Sequence, residues 1–258
     1  MTDQAAAGLL VENWRNQTRI DGLPEAVRPG DRAGGYRIAA VLAERSGQKI
    51  AGWKIAATSV AGQRHINVDG PLAGRIFADR LFPASASVPL GDNIMRVAEA
   101  EFAFRFGIDL PPREQSYTQD ECMAAVSSLH LSIEVPDSRY TDFTRVGAAQ
   151  LIADTACASW LVLGSAVTAD WRAIDLSEHH VTGFRNGVQV AQGAGKAVLG
   201  DPRMALTWFV NEASRYCGGI AAGQFVTTGT CIVPIAIAPS DALRMDFGGL
   251  GSIEATII

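Results

Sequence analysis

The segment AEAEFAFRF places two carboxylates, Glu99 and Glu101, two residues apart in a run whose apolar residues alternate. In an extended strand Ala100, Phe102, Phe104 and Phe106 share one face, while Glu99, Glu101, Ala103 and Arg105 share the other. At roughly 3.3 Å per residue the two Cα atoms lie about 6.5–7 Å apart, so convergent side chains could share a cation and would repel without one. A second alternating run, LHLSIEVPDSR, gives Leu129, Leu131, Ile133 and Val135 to the apolar face and leaves Glu134 on the opposite one, beside Ser132. Three hard oxygen donors with no Cys or His among them suit Mg2+ or Mn2+, with positions left for water and a chelating ligand. Without a cation, the same glutamates read as the solvated side of a half-exposed sheet. Lys54 sits between Trp53 and Ile55, where an ammonium is costly unless paired. Burial there would lower its pKa toward an acid–base range, whereas an exposed strand face would make it an ordinary solvated lysine. The glycines of GAGK, Gly193 and Gly195, and the TTGT segment ending at Thr230 have two readings. They are turns, or they are places where bare backbone N–H groups approach a ligand carboxylate.

Other chemistries lose their residues on inspection. A phosphate loop at GAGKAVLG would need Gly at Val190 and Ser or Thr at Ala197, and a dinucleotide fingerprint would need Gly or Ala at Val198. No Gly-x-Ser-x-Gly elbow and no His-Glu-x-x-His helix is present, and His179-His180 has no acidic partner at metal spacing. The cysteines at 122, 157, 217 and 231 form no Cys-x-x-Cys pair, which reads as reduced, mostly buried thiols. A net charge of −5 with no basic stripe argues against a nucleic-acid partner. Apolar runs far shorter than a membrane span and an N-terminus without a basic start point to an untargeted, cytoplasmic protein with a small-molecule partner.

The elements that must carry these residues follow from punctuation. Helical spacing marks the first fifteen residues and again Tyr36 to Arg45, ending at Gly47, with the loop PEAVRPGDRAGG between. From Lys49 onward short apolar runs broken by Gly, Pro and Asn read as strands. Two helices interrupt them: Thr118 to about Ser128, opened by the capping-box pair Thr118 and Glu121, and Asp201 to Cys217, with Pro202 in its first turn. Asn186-Gly187 is the clearest hairpin turn, because type I′ needs positive φ at both positions. In a chain of 258 residues, 48% hydrophobic, this predicts an α+β fold. A helical segment, residues 1–48, packs on a strand-rich domain, residues 49–258, as a single compact unit.

The order Glu-x-Glu followed some thirty residues later by Glu resembles the metal triad of the fumarylacetoacetate hydrolase superfamily. The segments GWKIAATS (52–59), GRIFADRLF (74–82), RVAEAEFAF (96–104), IEVPDSRYTDF (133–143), LIADTACASWLVLG (151–164), NGVQVAQGAGKAVLGDP (186–202), AGQFVTTGT (222–230) and DFGGLGSI (246–253) are similar, in order, to signatures of its 2-keto-4-pentenoate hydratase and 2-oxo-3-hexenedioate decarboxylase family. The resemblance implies a mixed β-roll core with an N-terminal helical part, and Mg2+ or Mn2+ held by Glu99, Glu101 and Glu134. It also implies an active-site lysine at Lys54 with Asp79 as its acidic partner, an unsaturated 2-oxo or 2-hydroxy acid as substrate, and a homo-oligomer. The implied activity is a hydro-lyase adding water to a 2-hydroxy-2,4-dienoate; a 2-oxo-3-enedioate decarboxylase or a catalytically silent partner subunit are the alternatives. The chain departs from the family in having Met95 and an extra Ala98 before the first glutamate, and Thr155, Ala156, Cys157 and Ala158 where relatives carry polar residues.

Overall fold

The computed structural model describes residues 1–258. Two helices open the chain, α1 (Thr2–Asn16) and α2 (Arg32–Ser46), pressed together through Ala6, Leu10, Ile38 and Leu42. The Asp31 side chain accepts from the Gly34 N–H to start α2, and Gly47 ends it with φ 71°, a left-handed cap that glycine adopts without strain. After them come β1 (Ile50–Ala56), the short helix α3 (Val60–His65), β2 (Leu72–Phe77), β3 (Leu81–Pro83), β4 (Ser87–Val88) and β5 (Val97–Phe106). The middle of the chain holds α4 (Gln119–Ala125), β6 (Val126–Val135), α5 (Ala148–Ala153) and β7 (Trp160–Ala166). The remainder is β8 (His180–Arg185), β9 (Val188–Ala194), α6 (Pro202–Tyr216), β10 (Phe225–Thr230), β11 (Ile235–Ala236), β12 (Ala242–Asp246) and β13 (Ser252–Ile257).

The strands form two mixed sheets. One has the order β2-β1-β10-β5-β6-β7-β3, with β11 added beside β5, and the other the order β4-β13-β12-β8-β9. Parallel pairs (β1 with β10, β3 with β7, β4 with β13) sit among antiparallel ones, which gives the α+β architecture that the sequence predicts and the mixed sheets that the family resemblance implies. Asn186 and Gly187 both have positive φ, 53° and 78°, and close the β8–β9 hairpin. The capping box of α4 is present, but the helix stops at Ala125 rather than near Ser128. Val126 is already extended and pairs with Phe106, because joining the β5–β6 ladder satisfies backbone groups that a longer helix would leave at the sheet edge.

Two consequences bear on the glutamates. First, β5 pairs with β6 without a break from Glu99↔Glu134 to Arg105↔Ser128, and Ala98 is an ordinary core residue opposite Ile235, so the extra residue displaces nothing. Second, both faces of these strands are covered. Glu101 is 0% and Glu134 1% exposed, which overturns the solvated-sheet reading. No helix is long and apolar enough to cross a membrane.

Candidate active site

Glu99 and Glu134 face one another as a direct cross-strand pair, and Glu101 lies two residues farther along the same face of β5. One carboxylate oxygen from each falls within 4.8 Å of the others. Lys54 arrives from β1, three strand positions away from β6 in the sheet order. Laid flat, that is about 14 Å at roughly 4.8 Å per strand. Its Nζ is nevertheless 3.0 Å from Glu134 Oε1, so the sheet must curl to bring β1 over β6. Between them β10 carries an irregularity from Thr227 to Thr230, which turns the Gly229 N–H onto Glu101 Oε2 at 3.0 Å. Gly229 has φ 99°, and a Cβ there would collide with the Thr58 hydroxyl, so this donor position requires glycine.

Three carboxylates and one ammonium in a buried space leave an excess of negative charge. Burial, reinforced by Glu134, pushes the Glu99 carboxyl up to about 7. Burial together with the other two glutamates drives Glu101 well above the carboxylate range, and burial raises Glu134 against the pull of Lys54. Burial opposes the Lys54 charge, but the attraction of Glu134, Glu99 and Glu101 outweighs it and the pKa rises. The lowered lysine pKa expected from the apolar sequence context is thereby corrected, because that context did not show its three acidic neighbours. Glu101 Oε1 and Glu134 Oε2 are buried with no hydrogen-bond partner. Orphaned oxygens in an all-carboxylate set, held together against their own repulsion, are what an oxygen-seeking divalent cation would complete, and the residues fit Mg2+ or Mn2+.

A cavity of about 510 Å³ opens onto the cluster, with Lys54, Glu99, Gly193, Gly229 and Thr230 in its wall. The segment that the sequence marks as a departure from the family's polar residues forms another part of it. Thr155, Ala156 and Cys157 are consecutive left-handed residues, with φ of 52°, 51° and 62°, and none is glycine. Such strain persists only where the surroundings fix it. The fully buried Asp154 carboxylate does so by accepting from the Ser138 hydroxyl at 2.9 Å, the Arg139 N–H at 2.9 Å, and the Arg139 guanidinium. Gly74, opposite Lys54 in the β1–β2 ladder, leaves room for the Thr155 carbonyl. Ala156 and Cys157 then face the cavity. The run LIADTACASW signals a departure from the family's polar residues, but nothing in it signals this backbone conformation or the role of Asp154.

Two expected residues stand apart. Gly195 does not line the cavity; its missing side chain makes space for the Leu176 carbonyl, a packing role. Asp79 is corrected as well. It lies in the turn after β2 with a 42% exposed side chain, 3.7 Å from the Arg80 guanidinium. It borders a separate surface hollow with Trp14 and Gln48. The antiparallel ladder explains this: Lys54 pairs with Gly74, so Asp79 lies five residues toward the other end of β1, and Glu134 takes the place of acidic partner.

A family profile described as fumarylacetoacetate (FAA) hydrolase C-terminal matches residues 79–258. A 2-keto-4-pentenoate hydratase of Paraburkholderia xenovorans is 31% identical over 222 residues, covering 85% of this chain and 81% of that protein. A 4-oxalocrotonate decarboxylase of Pseudomonas putida is 30% identical over 215 residues, covering 83% and 80%. Among solved structures, 4-oxalocrotonate decarboxylase from Pseudomonas putida G7, complexed with magnesium and adipate, superposes with a TM-score of 0.89 at 27% identity, covering 99% of this chain and 97% of that one. With the curled mixed sheet and the acidic cluster of β5 and β6 already in place, these likenesses put the chain in the fumarylacetoacetate hydrolase family, in the group that holds the 2-keto-4-pentenoate hydratases and the related decarboxylases.

Proposed function

We propose that the protein is a divalent-metal-dependent hydro-lyase that adds water to a 2-hydroxy-2,4-dienoate to give a 4-hydroxy-2-oxo acid. The observation that carries the reading is the buried Glu99–Glu101–Glu134 cluster with orphaned oxygens, opening through Glu99 onto a cavity that also contains Lys54. A cation held by these three carboxylates would act as a Lewis acid toward the substrate's carboxylate and 2-oxygen. The chain's own groups do the rest. Lys54, cationic beside Glu134, would give a proton toward C5 and recover one from the 2-hydroxyl, directly or through water, with Glu134 fixing its direction. Loss of that proton and gain of one at C5 turns the dienol into a 2-oxo-3-enoate, whose C4 is electrophilic. Water adds its oxygen at C4 and a proton at C3. Gly193 and Thr230, in the wall beside Glu99, are placed to position the substrate. The apolar remainder of the cavity limits the water that reaches it.

The likeness to 4-oxalocrotonate decarboxylase supports a second reading, in which a 2-oxo-3-enedioate loses carbon dioxide at the same cluster. Purified protein with Mg2+ separates the two. Loss of the diene absorbance of 2-hydroxypenta-2,4-dienoate without gas release supports the hydratase; faster carbon dioxide release from 2-oxohex-3-enedioate installs the decarboxylase. Turnover of neither leaves a silent subunit. In the active case Lys54→Met should retain Mg2+ binding and lower turnover by about 10²–10⁴, the range for losing a general acid or base. Near-wild-type turnover would remove Lys54 from the chemistry.

A further inference from the structure

Lys54 and Ala56 lie on one face of β1, and Ala56 is paired with Leu72, so Leu72 sits one step along the strand from Lys54, roughly 7 Å away. The Thr155–Cys157 turn covers this face and adds Ala156; Leu151 from α5 and Ile66 just after α3 close it. Leu72 and Leu151 are 0% and Ala156 1% exposed, and this end of the cavity is apolar. Charge is missing from it. Lys54 is the only Lys or Arg in the lining, and it is held by Glu134. His65, at the exposed rim, packs edge-on to Phe143 with ring centroids 6.0 Å apart, and the Ser59 hydroxyl oxygen accepts from the Gly62 N–H, which leaves only a neutral O–H to donate. A carboxylate at this end would lose its hydration against Leu72 and Leu151 with no cation in return.

The space is also larger than a minimal substrate needs. A five-carbon 2-hydroxydienoate has eight non-hydrogen atoms; allowing each about 30 Å³, the share of a whole water, it fills about 240 Å³. The cavity holds about 510 Å³.

We infer, building on the hydratase reading, that the cavity selects a monocarboxylic substrate carrying an uncharged apolar substituent beyond C5, with Leu72, Leu151, Ala156 and Ile66 as the residues that set this preference. An alkyl tail displaces water from the apolar end, and a terminal carboxylate is rejected there.

The test is calorimetric binding of saturated 2-oxo acids to the Mg2+-loaded protein, which needs no turnover. The decisive pair is 2-oxohexanoate and 2-oxoadipate, equal in carbon chain and differing in a terminal methyl or carboxylate. The methyl-ended acid should bind at least tenfold tighter. From 2-oxopentanoate to 2-oxooctanoate, affinity should rise by up to about fourfold per methylene until the cavity fills. Equal or tighter binding of 2-oxoadipate, a flat series, or no binding would overturn the inference. Ile66→Arg, at a half-buried position where a guanidinium can be accommodated, should narrow or invert the 2-oxohexanoate to 2-oxoadipate ratio; an unchanged ratio would remove Ile66 from the far wall. Dienoates with and without a propyl tail are assayed for turnover in parallel. Selective binding without turnover would defeat the hydratase reading and leave the tail preference standing; turnover that falls with the tail would do the reverse.

Discussion

Each member of the carboxylate cluster is destabilised by the others, so its behaviour should change as soon as charge is added or taken away. Glu101→Gln removes a proposed metal ligand, the carboxylate that Gly229 holds in place. Since losing a supporting partner of a metal ligand already costs 10–100-fold in affinity, losing the ligand should weaken Mn2+ binding by about 100-fold or more. Wild-type affinity in that variant, read by calorimetry, would refute the metal assignment. The raised Glu99 pKa, about 7, also makes binding pH-dependent. Below that pH a cation must displace a proton from Glu99, so affinity should fall by about fivefold as pH drops from 7 to 6 and by about tenfold per unit below that. Metal-free stability runs the opposite way. Between the ordinary carboxylate pKa of about 4.5 and the folded value of about 7, the folded protein binds more protons than the unfolded chain, so stability declines as pH rises through that window. Added Mg2+ should therefore raise Tm more at pH 8 than at pH 6, and an equal gain at both would show that Glu99 is not raised. The three glutamates were legible in the sequence because strand alternation puts them on one side of two strands. Their burial and the partner of Lys54 were not, because both depend on which strands become neighbours.

At the scale of elements, the conformation that escaped sequence reasoning is the one that contradicts local preference. Thr155, Ala156 and Cys157 carry no glycine and no turn signature, yet all three are left-handed, because Asp154, Ser138 and Arg139 lock them from behind and Gly74 admits the Thr155 carbonyl from the front. Gly74→Ala tests that arrangement. The added methyl meets backbone rather than a movable side chain, so overpacking should cost about 1–3 kcal/mol. Displacing Ala156 and Cys157 should lower kcat/KM as well, with Mg2+ affinity retained. Unchanged stability on thermal or urea unfolding would mean that the turn is not held where it is described. Elements with explicit punctuation were readable to within a few residues: the Gly47 cap, the Asp201 cap with Pro202, and the Asn186-Gly187 turn; α2 begins at Arg32 rather than Tyr36, because Asp31 in the expected loop caps it. The end of α4 was misplaced because pairing with β5, invisible locally, claims Val126 for the sheet.

For the whole molecule, the five-stranded sheet ends in β9, a free edge with Val188 63% and Val190 43% exposed, and Val233 nearby in the sequence of the cavity wall is 74% exposed. An apolar edge without a charged or proline guard is a surface that chains cover by association. Sedimentation should show a species heavier than the 27.3 kDa chain, and a lone monomer at working concentrations would count against self-association. The sheet order also has a temporal side. β1 is hydrogen-bonded in parallel to β10, Gly52 beside Phe225, about 170 residues later in the chain. At roughly 5–20 residues per second, a ribosome needs on the order of 10–30 s to deliver that partner. Until then Trp53 and Ile55 have an unfinished sheet around them, and Glu101 lacks its donor from Gly229. The lysine is thus made early and waits, and the cluster it joins is complete only after synthesis has passed β10. Throughout that interval β1 has only β2 beside it, and its other edge is open to a wrong neighbour.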